Sequence, residues 1–256
     1  MSVAFVTFGT PDFSMARAEH EQSIQRFGHR VFSYPIGSEP IQLARKKNAE
    51  IFRQPRGYGY WAWKPYIIEA AMDATEPGTL VFYTDIAVTL ARSPEPLLDL
   101  LKDLDVATFR VGSGYLQREY TKRDAFVLMK ADEPRYWDDE QSNGAFVAIR
   151  NNDAGLKFVR TWKKYLKDTR ILTDKPNEMK FLNHPEFVDH RHDQSALSIL
   201  ATRDSIPLLR DPSQWGNDGT RSTPDFKPSS RFNHQNFGQI FFHHRRRNRD
   251  YSQRFA

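Results

Sequence analysis

Short apolar runs alternate along this chain with longer stretches in which apolar residues recur every three or four positions. Residues 3–8 (VAFVTF), 31–34, 80–83 (LVFY), 106–109 and 145–149 read as strands, and 15–27, 41–53, 64–72 and 154–166 carry helical periodicity between them. That order predicts an α/β fold, a mainly parallel central sheet flanked by helices and joined by right-handed crossovers, Rossmann-like in outline. Pro94 and Pro96 open a helix over 97–101, and Pro77-Gly78 forms a turn that delivers the chain into the third strand. Residues 112–139 lose the pattern and are expected to form a loop over the cleft. Residues 210–230, rich in Pro, Gly, Ser and Asp, read as an irregular excursion before a last strand at 238–243. No internal repeat or domain boundary interrupts this, so a single domain over 1–256 is expected, with a basic segment at 231–256.

The third strand ends on an acid, Asp85. A carboxylate at the carboxyl end of a buried strand stands where α/β sheets bind ligands, so it reads as a metal or substrate group; the competing reading is a residue that only caps the next turn. Just upstream, Tyr58, Tyr60, Trp61, Trp63 and Tyr66 crowd around Lys64. At least half of these rings are expected in the core. A lysine among them is partly desolvated and needs an anionic partner, either Asp85 or a ligand phosphate.

Composition narrows the chemistry. The 256 residues include no cysteine, which excludes disulfides, thiolate metal sites and a cysteine nucleophile. Any metal must use Asp, Glu, His or Asn. No run approaches the roughly 20 apolar residues of a membrane-spanning helix. The first residues read as a strand and not a signal peptide, so cytoplasmic residence is expected, with the inner membrane face as a possible place of work. The net charge of +5 is local: six arginines (231, 245, 246, 247, 249 and 254) stand against the single acid Asp250 in residues 231–256. Such a segment suits phosphates, nucleic acid or an anionic membrane surface, or is a solvated end. No nucleic-acid-binding motif accompanies it, so nucleic acid is not an expected partner.

Two further clusters carry chemistry. In FVDHRHDQSALSIL, Asp193 and Gln194 stand where a polar cluster gives way to a helix; Asp193 as a simple helix cap is the plainer reading. His190 and His192 share one side of an extended segment, a weak metal signal. The last strand ends in His243, His244 and Arg245–Arg247, and imidazoles and guanidiniums there can converge on one anion, with diphosphate the natural guest.

RGYGYWAWKPYII, LVFYTDIAV and HRHDQSAL, with TKRDAF and the terminal HHR, together resemble a bacterial family of GT-A-fold glycosyltransferases of surface-polysaccharide synthesis, over most of the chain. The resemblance implies transfer of a hexose from a nucleotide-diphosphate sugar, a UDP-sugar favoured, to a saccharide or lipid-linked acceptor. It implies a nucleotide lying against Thr7, Phe8, Gly9 and Thr10. Asp85, with His243 or His244 as a late ligand, would hold Mn²⁺ or Mg²⁺; Lys64, His244 and Arg245–Arg247 would face the diphosphate, and Gln141 and Asn143 would frame the sugar. Asp193 and Gln194 become the catalytic candidates, Asp193 as the base of an inverting reaction or as a group beside the anomeric carbon in a retaining one. The chain departs from the family where an Asp-x-Asp motif would place a second acid, for it has Ala87. A metal-free site served by Lys and Arg is therefore an alternative. Two other functions compete: a nucleotidyltransferase, for which FGTPDFS is a poor phosphate loop, and a non-catalytic module that grips an anionic polymer or membrane through the basic segment.

Overall fold

The computed structural model describes residues 1–112, 114–217, 229–233, 235 and 237–252. Part of the expected 210–230 excursion, and Arg254 of the basic segment, lie outside the described residues. The strands are β1 (Val3–Phe8), β2 (Arg30–Tyr34), β3 (Leu80–Thr84), β4 (Val88–Leu90), β5 (Val106–Arg110), β6 (Ser142–Arg150), β7 (Leu208–Leu209) and β8 (Phe241–His243). The longer helices are α1 (Ser14–Gln25), α2 (Glu39–Lys47), α3 (Lys64–Asp73), α4 (Glu95–Leu101), α5 (Asp153–Tyr165) and α6 (Asp193–Arg203).

Six strands form the main sheet in the order β2-β1-β3-β6-β5-β7, and β4 pairs with β8 in a small second sheet. β1 runs parallel to β2 and β3, and β5 parallel to β7; only β6 runs against its neighbours. The expectation of a mainly parallel sheet holds, with that exception. Strand periodicity explains how both faces are covered, because successive side chains point to opposite sides. Val6 and Phe8 of β1, Val81 and Tyr83 of β3, and Val147 and Ile149 of β6 enter one core beneath α2, α3, α5 and α6. Val3 and Phe5, Leu80 and Phe82, and Phe146 and Ala148 enter the other, with Ile24 of α1, Leu97 and Leu101 of α4, and Phe241 of β8.

Two expectations change. The helix expected over 41–53 stops at Lys47, because Asn48 turns out of helical geometry and its Nδ2 donates to Ala44 O (2.7 Å) and Tyr66 Oη (3.0 Å); a 3₁₀ turn, Ile51–Arg53, follows. The segment 112–139 is no loop over a cleft. Its described residues form short helices at Gln117–Tyr120, Arg123–Leu128 and Pro134–Trp137 that pack near α6. Their buried polar groups, such as Asp124 accepting from the backbone N–H groups of Glu178 and Met179, interrupt the apolar rhythm that a sequence reading depends on. No helix among the described residues is long and apolar enough to cross a membrane.

Candidate functional site

A cavity of about 580 Å³ opens at the carboxyl ends of β1 and β3. Phe8, Gly9 and Thr10 come from the end of β1; Asp85, Ile86 and Ala87 follow β3. Because β6 runs antiparallel, its beginning lies at that same end and brings Asn143 and Gly144 into the wall. The start of α6 contributes Asp193 and Gln194. None of the described residues of 112–139 lines the cavity.

Lys64 is the centre of charge. It begins α3, is 3% exposed, and its Nζ lies 2.7 Å from Asp193 Oδ2 and 3.8 Å from Asp85 Oδ1 while donating to Gly144 O at 2.8 Å. The partner that a lysine among rings requires is thus a pair of carboxylates. Asp193 is buried, and burial pushes its pKa up to about 6 against the pull of Lys64. Its plainer reading as a helix cap is displaced: His192 occupies the cap position, and the Asp193 side chain turns to Lys64. Trp162 Nε1 donates to the Asp193 carbonyl at 3.1 Å and steadies the helix start.

Tyr83 Oη donates to Asp85 Oδ1 at 2.5 Å, and burial together with that carboxylate holds the phenol well above its ordinary pKa. Gln194 Oε1 accepts from Gly144 N at 3.0 Å, and its Nε2 donates to Gln141 Oε1 at 3.2 Å. Gln141, itself buried, accepts also from Ser198 and so anchors Gln194 from outside the cavity. Asn143 Nδ2 donates to Asp211 Oδ2 at 2.8 Å.

Of the residues singled out in the sequence, Phe8, Gly9, Lys64, Asp85, Asn143, Asp193, Gln194, His243, Arg245 and Arg247 line this one cavity. Thr7 does not: it is fully buried within β1. His244 does not either. It faces a separate depression shared with Glu19, Arg26, Phe242 and Arg246, with Nε2 3.9 Å from Glu19 Oε2. Strand alternation is the reason: β8 sends His243 inward, and its successor goes to the other side. The basic segment is therefore divided, Arg245 and Arg247 toward the cavity and Arg246 away from it. Asn248 docks this segment on α1: its Oδ1 accepts from Met15 N (3.1 Å), and its Nδ2 donates to Pro11 O (3.0 Å) and Ser14 Oγ (2.9 Å).

No cluster of three or more His, Cys, Asp or Glu poised for a metal exists among the described residues. Asp85 and His243 nevertheless line one cavity, and His243 Nδ1 is buried with no hydrogen-bond partner. Burial lowers the His243 pKa to about 4, so the ring is neutral near pH 7, the form that binds cations. Two protein donors fit a divalent ion whose remaining positions are filled by ligand oxygens and water.

Sequence reasoning missed Tyr83 as a partner of Asp85, although residues two apart on an extended chain share a face. It also missed Arg17, whose guanidinium donates to Gly9 O (2.6 Å) and Tyr34 O (3.2 Å) and holds the turn after β1. The aromatic segment holds the largest surprise. Gly57, Tyr58, Gly59, Tyr60 and Trp61 all have positive φ, from 50° to 85°, and i→i−4 bonds from Tyr60 N to Arg56 O and from Trp61 N to Gly57 O close one turn of left-handed helix. This turn puts Tyr58 and Trp61 on the cavity wall. The alternation Gly-x-Gly was its signal. His190 and His192 have adjacent rings (centroids 5.2 Å apart); His190 is structural, with Nε2 on the Ile171 carbonyl and Nδ1 accepting from Lys122 N, whereas His192 meets the Leu172 carbonyl through Nδ1 and lines the cavity.

No protein-family model matches this sequence, and no curated protein matches it. Solved GT-A-type glycosyltransferases are similar to it in structure. Mouse xyloside xylosyltransferase 1 aligns with 95% of this chain and 97% of its own, at 10% identity and a TM-score of 0.48. The galactosyltransferase LgtC, solved with donor and acceptor sugar analogs, aligns with 82% of this chain and 74% of its own, at 13% identity and a TM-score of 0.45. The bifunctional glycosyltransferase WbbM aligns with 78% of this chain and 37% of its own, at 11% identity and a TM-score of 0.45.

Proposed function

We propose that this protein is a glycosyltransferase that moves a hexose from a nucleotide-diphosphate sugar, a UDP-sugar the leading candidate, to a saccharide or lipid-linked acceptor in polysaccharide synthesis. One observation carries the reading. Three sequence segments far apart in the chain, WKP, YTD and HDQ, meet around a single atom, Lys64 Nζ, within the cavity at the carboxyl end of the sheet.

Each residue then has a task that its environment suits. Phe8 and the Gly9–Thr10 turn, braced by Arg17, receive the nucleoside. Arg245 and Arg247 face the diphosphate, whose negative charge grows as the glycosidic bond breaks and must be met by fixed positive groups. Asp85 and His243 are the residues that would hold Mn²⁺ or Mg²⁺, and such an ion, when bound, supplies further charge neutralisation on the phosphate oxygens. Asp193 cannot swing freely, because Lys64 and the buried start of α6 fix it. It is suited to accept a hydrogen bond from the sugar and to oppose positive charge at the anomeric carbon. Gln194 keeps Gly144 in place through its carbonyl oxygen, so the wall against which the sugar rests is rigid before the donor arrives.

Calorimetric titration of UDP, GDP and CMP, with and without Mn²⁺, tests the proposal on wild type and Asp85→Ala. The expected result is metal-dependent binding of one diphosphate nucleotide that Asp85→Ala abolishes. Failure of wild type to bind any of the three would overturn it.

A further inference from the structure

The left-handed turn at 57–61 is a conformation that L-residues avoid, and three of its members, Tyr58, Tyr60 and Trp61, have side chains that pay for it without glycine's freedom. Such a turn persists only where its surroundings over-determine it. Trp63 Nε1 donates to Gly57 O at 3.0 Å and Tyr58 packs on Phe8 and Phe52; a further constraint comes from Asp174. Asp174 Oδ2 accepts from Arg56 Nη1 at 3.0 Å, at the entrance to the turn, and from Tyr60 Oη at 3.1 Å, within it.

The other carboxylate oxygen of Asp174 faces a second strained backbone. His192 has φ 57° and ψ −118°, an unusual pair for a residue with a side chain; its Nε2 lies 3.6 Å from Asp174 Oδ1, beyond hydrogen-bond reach, so packing and not a bond couples it to the turn. The His192 ring packs on Tyr60 (centroids 4.7 Å apart) and Trp61 (5.7 Å). Asp174 is itself held on both sides, since the buried Lys122 ammonium binds the carbonyls of Thr173 (3.0 Å) and Lys175 (2.9 Å). The turn ends three residues before Lys64, and His192 immediately precedes Asp193.

We propose that Asp174 is a positioning residue: it holds the strained turn at 57–61, on which His192 packs, and so fixes both arms of the Lys64–Asp193 pair. Its expected effect on nucleotide binding rests on the glycosyltransferase reading; its effect on the backbone does not.

Hydrogen–deuterium exchange on Asp174→Asn, Asp174→Glu and Tyr60→Phe tests this, together with titration of UDP in the presence of Mn²⁺. In Asp174→Asn the amides of Tyr60 and Trp61 should exchange at least about tenfold faster, while those of β1 and β3 keep their wild-type rates. Tyr60→Phe should move the same amides in the same direction, and it decides the question should Asp174→Asn not fold. UDP should bind Asp174→Asn roughly tenfold more weakly, with Asp174→Glu restoring both readouts. Unchanged exchange at 57–61, a uniform rise across the sheet, or faster local exchange with unaltered UDP affinity would each overturn the proposal. If wild type binds GDP in place of UDP, the same titration is read with GDP; if it binds no nucleotide, the glycosyltransferase reading falls, and exchange alone decides whether Asp174 holds the turn.

Discussion

Lys64 Nζ lies 2.7 Å from one carboxylate and 3.8 Å from another, Asp193 and Asp85, so a single buried cation balances two acids that come from opposite halves of the chain. Removing one member of a buried pair costs more than the pair contributes, because the remaining charge is stranded. Lys64→Met should therefore lower stability by about 3–5 kcal/mol, read from urea unfolding, and abolish nucleotide binding. A variant as stable as wild type would mean that the pair does not exist in solution.

Asp193 provides a pH signature. Its folded pKa, about 6, is raised above the ordinary carboxylate value, so the folded state favours the protonated form. The associated stability is fully present below pH 4 and is lost as pH rises through about 6. The proposed function uses the opposite, the ionised form that pairs with Lys64. Transfer activity should consequently show an acid limb centred near pH 6, and Asp193→Asn should remove that limb along with most of the rate.

Buried histidines act the other way on stability. His20 is buried, its Nδ1 lies 2.6 Å from Val88 O, and burial lowers its pKa to about 4. A depressed histidine contributes stability at pH above 6.5 that disappears as pH falls toward 4. His20 should account for a loss on the order of 3 kcal/mol across that window. Thermal melts of wild type and His20→Gln between pH 7 and 4 check this; the variant should show the shallower fall.

The division of the basic segment separates two neighbouring arginines. Arg245→Ala should weaken nucleotide binding about tenfold by removing a charged contact, and Arg246→Ala, on the other face, should leave it unchanged. Equal effects of the two, together with strong salt dependence, would favour a general attraction to polyanions.

Much of this was legible in the residue pattern. Runs such as VAFVTF and LVFY are buried on both faces and announce themselves as strands, and the acid closing the second of them does stand in the cavity. What escaped was written in shorter or non-local signals. Val88–Leu90 and Leu208–Leu209 are too brief to show a period, and nothing in the local sequence of Ser142–Arg150 reveals that it runs antiparallel. His243 and His244 looked equivalent because a sequence does not state which residue of a strand faces inward until its register is known. Asp174, an ordinary acid in TDKPNE, gains its place only when Arg56 and Tyr60 arrive from more than a hundred residues away.

The bonds that Asn248 makes to Met15 and Pro11 join positions 233 and 237 residues apart. The long return of the chain is made by β8, which pairs with β4 and buries Phe241 and His243, and the seam adds only a few exposed polar bonds to it. The seam therefore has a free energy of opening of its own, smaller than that of the whole fold. Opening of the seam would loosen Arg247, whereas Arg245 stays tied by its own N–H to the Ala87 carbonyl (3.3 Å), so the two cavity arginines differ in how firmly they are held.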